Sequence, residues 1–129
     1  MRIFAAVLSL FSLFLSGCDR DNGPGSVISL RELKRLIGED KELLIIDVRT
    51  PAEYESGHIP GAVSVPLQGI EAAISAVVPD KASYFIIYCR TGRRSKAAAG
   101  ILKGMGYSNF SNYAGSMKEW VADGNPVEK

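Results

Sequence analysis

A lone cysteine and three arginines share the stretch YCRTGRRS, which runs from Tyr88 to Ser95. A thiol becomes a strong nucleophile when it ionises, and nearby guanidinium groups favour its thiolate. Three arginines so close to Cys89 cannot all be buried with it, which argues against an inert cysteine in a hydrophobic core. The stretch therefore predicts a reactive thiol in an anion-binding segment, with Cys89 as the catalytic nucleophile.

The segment that carries Cys89 is expected to connect a strand to a helix. The apolar residues Tyr84 to Tyr88 are typical of a buried strand, and a helical pattern runs from Ser95 to Met105. Backbone N–H groups at the start of a helix lack intrahelical partners and attract anions, and Gly92 lets the backbone bend around an occupant. The expected substrate-binding residues are those between the cysteine and the helix, namely Arg90, Thr91, Gly92, Arg93 and Arg94.

The rest of the chain alternates strand and helix patterns. Further strands are predicted at Leu43 to Val48, Ala62 to Val65 and Phe110 to Tyr113. Helices are predicted at Ile70 to Val77 and after the capping residues Ser29, Thr50 and Ser116. Strands that alternate with helices imply an α/β fold, in which helices flank a parallel sheet on both faces.

Several side chains near these elements are candidates for catalysis or substrate binding, but a structural role is favoured for each. Asp47 and Arg49 end a strand beside the cysteine segment and are expected to support the site. An ion pair between Arg49 and Glu53, or a hydrogen bond that fixes the loop, is favoured over contact with substrate. His58 is expected to fix a turn, and Trp120 is expected to pack in the core.

Length, composition and charge are those of one ordinary globular domain. The chain has 129 residues, of which 47% are hydrophobic and 22% are charged, and its formal net charge is +1. Nucleic-acid binding usually shows as a strongly basic domain or stripe, so no nucleic-acid partner is expected. We expect one domain, working as a monomer.

The first residues are typical of an export signal. Arg2 precedes an apolar segment from Ile3 to Leu15, which is shorter than the roughly 20 residues a spanning helix needs. We predict a signal peptide at residues 1–17. The next stretch, residues 18–26, is rich in Gly, Pro, Asp and Asn and predicts a flexible tether before a domain at residues 27–129.

The end of this signal, Leu15-Ser16-Gly17-Cys18, resembles the lipobox of bacterial lipoproteins. The resemblance implies a lipid on Cys18 that holds the protein at a membrane of the bacterial cell envelope, with the domain in the periplasm. Asp19 resembles the inner-membrane retention signal of enteric lipoproteins. The chain has two cysteines, so a lipid on Cys18 would leave Cys89 without a disulfide partner.

The motifs of the domain, taken in order, resemble the rhodanese family of sulfurtransferases. The resemblance runs from about Ile28 to Glu128 and includes IDVRTPAEYESGHIPGAVSVPL, CRTGRRS, AAAGILKGMGY and GSMKEW. It implies a rhodanese-like sheet and a two-step reaction without cofactor or metal. Cys89 would take the outer sulfur of a donor such as thiosulfate, hold it as a persulfide and pass it to cyanide or a thiol.

Gly115-Ser116 is a departure from the family pattern, because family members often have two glycines there. The serine could change the wall of the pocket. It could also begin the final helix as a cap.

Two other functions stay open at this point. Phosphatases related to rhodaneses use a cysteine loop of the pattern C-x5-R, whereas Cys89 and Arg94 give the shorter C-x4-R, which suits a single sulfur better than a phosphate. A non-catalytic rhodanese module that binds a partner is the second alternative. An intramolecular dithiol cycle is disfavoured because no resolving cysteine lies near Cys89.

Overall fold

The structure, a computed structural model, describes residues 23–129. The predicted signal peptide at residues 1–17, the predicted lipidation site Cys18 and the predicted sorting residue Asp19 lie outside the described residues, as does the first half of the predicted tether. Within residues 23–129, no helix is both long enough and apolar enough to cross a membrane.

The described chain alternates five strands with five helices. The strands are β1 (Ser26–Val27), β2 (Ile45–Asp47), β3 (Val63–Ser64), β4 (Phe85–Tyr88) and β5 (Phe110–Asn112). The helices are α1 (Leu30–Glu39), α2 (Pro51–Ser56), α3 (Ile70–Val77), α4 (Arg93–Gly104) and α5 (Ser116–Ala122). The predicted α/β fold is confirmed.

All five strands form one parallel sheet in the order β1-β5-β4-β2-β3. The central strand β4 pairs with β2 on one side and with β5 on the other. The carboxyl ends of parallel strands meet at one edge of the sheet, where ligands bind in open α/β sheets. The residues that follow β2 and β4 are therefore brought together at this edge.

Alternate side chains of the central strands build two separate cores. Ile46, Phe85 and Ile87 pack with α3 and α4 on one face of the sheet. Ile45 and Ile86 pack with α1, α2 and α5 on the other. Successive strand residues point to opposite sides of the sheet, and both sides are buried because helices cover each of them.

Side-chain caps set the starts of the first two helices. The Ser29 hydroxyl accepts a hydrogen bond from the Glu32 N–H at the start of α1. At α2, Thr50 and Glu53 form a reciprocal capping box, and Pro51 occupies the first helical position. The predicted caps at Ser29 and Thr50 are confirmed.

The chain joins the sheet earlier than expected. Ser26 of β1, which was predicted to belong to the tether, pairs with Ser111 of β5. The Gly25 N–H donates to the Phe110 carbonyl at 2.8 Å. A two-residue strand is too short to show a periodic pattern. Its pairing with β5 is a tertiary contact that the local sequence does not reveal.

The helix after the cysteine also begins earlier than expected. Helix α4 starts at Arg93, so Arg93 and Arg94 belong to its first turn and the connecting loop is shorter. Gly92 has a φ of 95° and turns the chain into the helix without the steric cost of a Cβ.

The predicted cap at Ser116 is wrong. Gly115 occupies the N-cap position of α5 and makes no side-chain cap, and the Glu119 N–H donates to the Gly115 carbonyl. The Ser116 hydroxyl turns instead toward the residues around Cys89.

Candidate active site

Cys89 lies at the carboxyl end of the central strand β4, with its side chain almost completely buried at 1% exposure. The Gly92 N–H donates a hydrogen bond to the sulfur at 3.0 Å. Two serine hydroxyl oxygens lie close to the same sulfur, Ser95 Oγ at 3.6 Å and Ser116 Oγ at 3.8 Å. The neutral thiol donates to Ser95 Oγ, whose own proton is donated to the Gly92 carbonyl at 3.2 Å. The loop and two helices thus supply three groups that can donate hydrogen bonds to a thiolate.

These donors determine the acidity of the thiol. Burial is the strongest single influence, and it raises the pKa of Cys89. The backbone N–H and hydroxyl of Ser95, the hydroxyl of Ser116 and the N–H of Gly92 favour the thiolate, and together they outweigh burial. The pKa of Cys89 therefore lies below its usual value, as a nucleophilic cysteine requires.

Gly92 is required in this loop for two reasons. Its φ of 95° lies in the left-handed region that glycine tolerates best. A Cβ at this position would also lie 2.5 Å from the Ala114 carbonyl oxygen, closer than atoms can pack. The loop can therefore bring its Gly92 N–H to the sulfur only with glycine here.

The start of α5 holds the other side of the loop. The Met117 N–H donates to the Cys89 carbonyl and the Lys118 N–H donates to the Arg90 carbonyl, both at 3.0 Å. These bonds satisfy loop carbonyls that would otherwise be unpaired. The cysteine is thus fixed between the strand that precedes it and two helix starts.

The structure separates the predicted substrate-binding residues into two groups. Arg90, Thr91 and Arg93 are exposed, and within residues 23–129 the two arginines form neither ion pairs nor side-chain hydrogen bonds. Arg94 is half-buried, and its guanidinium binds both carboxylate oxygens of Glu53, at 2.6 and 2.9 Å. The available positive charge at the site therefore comes from Arg90 and Arg93.

Asp47 and Arg49 form a buried brace next to Cys89. The Arg49 guanidinium donates to both carboxylate oxygens of Asp47, to Oδ1 at 3.0 Å and to Oδ2 at 2.7 Å, and to the Gly57 carbonyl at 2.7 Å. The Tyr88 hydroxyl donates to Asp47 at 2.7 Å, which ties the brace to β4. The predicted hydrogen bond that fixes the loop is confirmed, whereas the predicted Arg49–Glu53 ion pair is wrong because each residue has another partner.

His58 and Trp120 have the structural roles expected of them. The His58 ring stacks on Tyr54 at 3.7 Å between centroids, and its backbone pairs with that of Glu128. The Trp120 ring is buried and its Nε1–H donates to the Pro126 carbonyl at 2.8 Å. Both residues hold the C-terminal segment against the domain.

A cavity of about 440 Å³ opens beside the first turn of α4. Arg94 lines it on one side, and the loops that follow β2 and β3 supply the rest of its wall. The lining residues are Val48, Thr50, Pro51, Pro66, Leu67, Gln68 and Arg94. This wall is mostly apolar with a few polar groups, as in pockets for small organic molecules.

Three contacts of the site are not predicted from the sequence. The sequence places Ser95 at the start of a helix, offers Glu53 as a partner of Arg49, and offers Ser116 either as a change in the wall of the pocket or as a cap. Ser95 and Ser116 contact the Cys89 sulfur, and Glu53 holds Arg94. The sequence signal for Ser116 is the departure from a glycine pair. Glu53 and Arg94 are 41 positions apart in the chain, so no local pattern reveals their pairing.

Comparisons with known proteins agree with this geometry. The family model for the rhodanese-like domain matches residues 29–123. The thiosulfate:glutathione sulfurtransferase of Saccharomyces cerevisiae is 36% identical over 108 residues, covering 74% of this chain and 78% of the relative. The thiosulfate sulfurtransferase PspE of Escherichia coli is 42% identical over 74 residues, covering 57% of this chain and 70% of the relative.

Solved structures include similar folds. The human single-domain sulfurtransferase TSTD1 superposes with a TM-score of 0.66 at 30% sequence identity, covering 77% of this chain and 96% of the human one. The similarity therefore extends over nearly the whole of a single-domain protein.

Proposed function

The chain belongs to the rhodanese-like family and is an enzyme of the thiosulfate sulfurtransferase type, and we propose that it transfers sulfur through a persulfide on Cys89. The acceptor in this proposal is cyanide or a thiol. The observation that carries it is the thiol of Cys89, whose pKa is lowered and whose sulfur accepts a hydrogen bond from the Gly92 N–H and lies close to the hydroxyls of Ser95 and Ser116.

In the first step the Cys89 thiolate attacks the outer sulfur of thiosulfate. A bond forms between Sγ and that sulfur, the S–S bond of thiosulfate breaks, and sulfite leaves with the electron pair. The product is a persulfide whose negative charge is on the outer sulfur. The backbone N–H groups at the start of α4 can stabilise this charge, because they are the unpaired donors of a helix start.

In the second step the acceptor removes the outer sulfur. Cyanide or a thiolate attacks it, the S–S bond of the persulfide breaks, and the electron pair returns to Cys89 Sγ. The thiolate is regenerated and no proton needs to move. The same donors that lower the thiol pKa make Cys89 a good leaving group in this step.

Exposed arginines are suited to attracting the donor. Thiosulfate is a dianion, and the exposed arginines Arg90 and Arg93 place positive charge next to the cysteine. Arg94 contributes a charge that Glu53 partly neutralises. Because Arg94 lines the edge of the cavity, its guanidinium can contact a bound molecule while it stays paired with Glu53.

We propose a small thiol as the acceptor inside the cell envelope. Relatives from yeast and human are named thiosulfate:glutathione sulfurtransferases. The cavity beside Arg94 has room for the organic part of such a thiol, and the amide of Gln68 in its wall is a group that can hydrogen-bond to it.

Intact mass measurement tests the persulfide. The full chain with Cys18→Ala has Cys89 as its single thiol, and we expect it to gain one sulfur atom from thiosulfate and to lose it to cyanide. The matched control adds Cys89→Ser and should gain nothing. If the chain with Cys89 also gains nothing, the proposed cycle is wrong and a module that only binds a partner becomes the better account.

We also propose that the domain acts as a monomer tethered to a membrane of the cell envelope. The support is the sequence Leu15-Ser16-Gly17-Cys18, which resembles a lipobox, and Asp19, which resembles an inner-membrane signal. The described domain begins with β1 at Ser26, so few residues separate it from the lipid. The domain would then work close to the membrane surface.

A further inference from the structure

Ser116 has an unusual backbone conformation. It is the non-glycine residue with a positive φ in the described part of the chain, at 58°. The left-handed region is costly for a residue with a Cβ, and glycine avoids that cost. Residues held in such conformations concentrate at functional sites, because the surrounding structure must impose them. The side chain of Ser116 is fully buried, so its contacts are all within the protein.

The Ser116 hydroxyl is placed between two acceptors. Its oxygen accepts a hydrogen bond from the Cys89 N–H at 3.1 Å. It lies 3.0 Å from the Tyr113 carbonyl oxygen and 3.8 Å from Cys89 Sγ. A hydroxyl has one proton, so it can donate to the carbonyl or to the sulfur, but not fully to both.

The charge on the sulfur decides between these acceptors. A neutral thiol or the inner sulfur of a persulfide is a weak acceptor, so the proton is donated to the Tyr113 carbonyl. A thiolate is an anion, and hydrogen bonds to ions are much stronger than those to neutral groups. The hydroxyl should therefore turn to Sγ when negative charge returns there.

We propose that Ser116 is a catalytic hydrogen-bond donor that stabilises Cys89 Sγ as it leaves the persulfide. This inference rests on the proposed persulfide cycle. When the acceptor attacks the outer sulfur, the S–S bond breaks and its electron pair moves to Sγ. The Ser116 hydroxyl then donates to that sulfur without transferring its proton. Because this bond is strongest when the charge is on Sγ, it favours discharge of the persulfide over its formation.

Other groups around the sulfur also stabilise negative charge on Sγ, but none of them approaches from the same side as the Ser116 hydroxyl. The Gly92 N–H and the Ser95 hydroxyl approach Sγ from the loop and α4, whereas Ser116 approaches from α5. The guanidinium of Arg94, which is paired with Glu53, also interacts with the charge of the thiolate. Removing the Ser116 hydroxyl should therefore weaken the stabilisation of the thiolate, not abolish it.

Titration of the thiolate tests the inference without requiring sulfur transfer. The variants are Ser116→Gly, which fits the positive φ, and Ser116→Ala, which keeps the Cβ, each in the full chain with Cys18→Ala. The ultraviolet absorbance of the thiolate is followed against pH and corrected with Cys89→Ser. We expect the midpoint to rise by about one pH unit in both variants, because one hydrogen bond to an ion is lost.

Single-turnover kinetics test the direction of the effect. Discharge of the loaded persulfide by cyanide should slow about threefold in both variants, because a thiol of higher pKa leaves more slowly. Loading by thiosulfate, expressed per thiolate, should not slow. Ser111→Ala is the matched control, since Ser111 is a buried serine whose hydroxyl bonds Tyr84, and it should change neither quantity.

The possible results are distinct. Unchanged titration midpoints in both variants would overturn the role of Ser116, even if their stability falls. If the unsubstituted site forms no persulfide, the proposed function fails, and the titration alone still decides whether Ser116 stabilises the thiolate.

Discussion

Glu53 and Arg94 form a two-point ion pair that joins α2 to the first turn of α4. Nη1 of Arg94 lies 2.6 Å from Oε1 of Glu53, and Nη2 lies 2.9 Å from Oε2. The Arg94 guanidinium is the main cause that lowers the pKa of Glu53 to about 2. Glu53 is therefore charged across the neutral range, and its negative charge lies at the edge of the proposed anion-binding site.

Removal of this negative charge should improve use of the anionic donor. We expect Glu53→Gln to lower the KM for thiosulfate about two- to fivefold, because residue 53 loses its negative charge while Arg94 keeps its positive charge. Glutamine also preserves the capping box of α2. The control is Glu55→Gln, which removes the same charge from an exposed position of α2. Steady-state kinetics at low salt give both values, and an equal change in the two variants would contradict a specific role of the pair.

Removal of the Arg94 side chain should have the opposite effect. We expect Arg94→Ala to raise the KM for thiosulfate, because the site loses a positive charge and Glu53 loses its partner. The increase should shrink as salt is added, since salt screens exposed charges. An unchanged KM at low salt would mean that Arg94 acts only through the structure of α2 and α4.

The thiol of Cys89 should ionise at lower pH in the folded protein than in the unfolded one. Its pKa is lowered in the fold despite burial, so the thiolate absorbance should appear below the usual range. Between the two pKa values the unfolded chain binds more protons, so stability should increase with pH there. The same chain in denaturant is the control, and identical folded and unfolded midpoints would contradict the assigned hydrogen bonds.

The buried ion pair below the site should be essential for stability. Asp47→Asn leaves the Arg49 guanidinium buried beside a neutral group, and we expect a loss of roughly 3 kcal/mol in the free energy of unfolding. Asp123→Asn is the control, because Asp123 pairs with Lys34 at an exposed site and should cost about 0.5 kcal/mol or less. Urea denaturation measures the free energy of unfolding of both variants. Similar decreases in the two would show that burial does not make the Asp47–Arg49 pair more important for stability than an exposed pair.

Membrane attachment should depend on Cys18. We expect Cys18→Ala to release the protein from bacterial membranes without changing sulfur transfer, because the lipid would have no attachment site. Fractionation of cell envelopes, followed by an activity assay, measures both effects. Cys89→Ser is the control and should stay with the membrane. Persistence of the Cys18→Ala protein in the membrane fraction would indicate an apolar anchor that is not cleaved.

Much of this architecture could be predicted because its signals are local. Capping at Ser29 and Thr50 follows from residues three apart, and helix α3 has the predicted bounds Ile70–Val77. The position of Cys89 after a buried apolar run predicted the end of a central strand. These features depend on neighbours within a few residues, and the sequence displays such neighbours directly.

The contacts that complete the site lie beyond the reach of local patterns. The strand at Ser26 exists because it meets β5, about 85 residues later in the chain. The positive φ of Ser116 arises where the start of α5 is bound to the Cys89 loop, and no capping pattern predicts it. Each of these results needs two distant segments to be placed together.

The sequence by itself determined the proposed nucleophile, the glycine that lets the loop turn toward it, and the alternating elements that build a parallel sheet. Only the tertiary structure decided which partner each charge and hydroxyl takes: Glu53 pairs with Arg94, Arg49 with Asp47, and Ser116 with Cys89. The physical reason is the distance along the chain over which each interaction acts. Backbone conformation depends mainly on nearby residues, whereas ion pairs and side-chain hydrogen bonds depend on distances that exist only after the chain has folded.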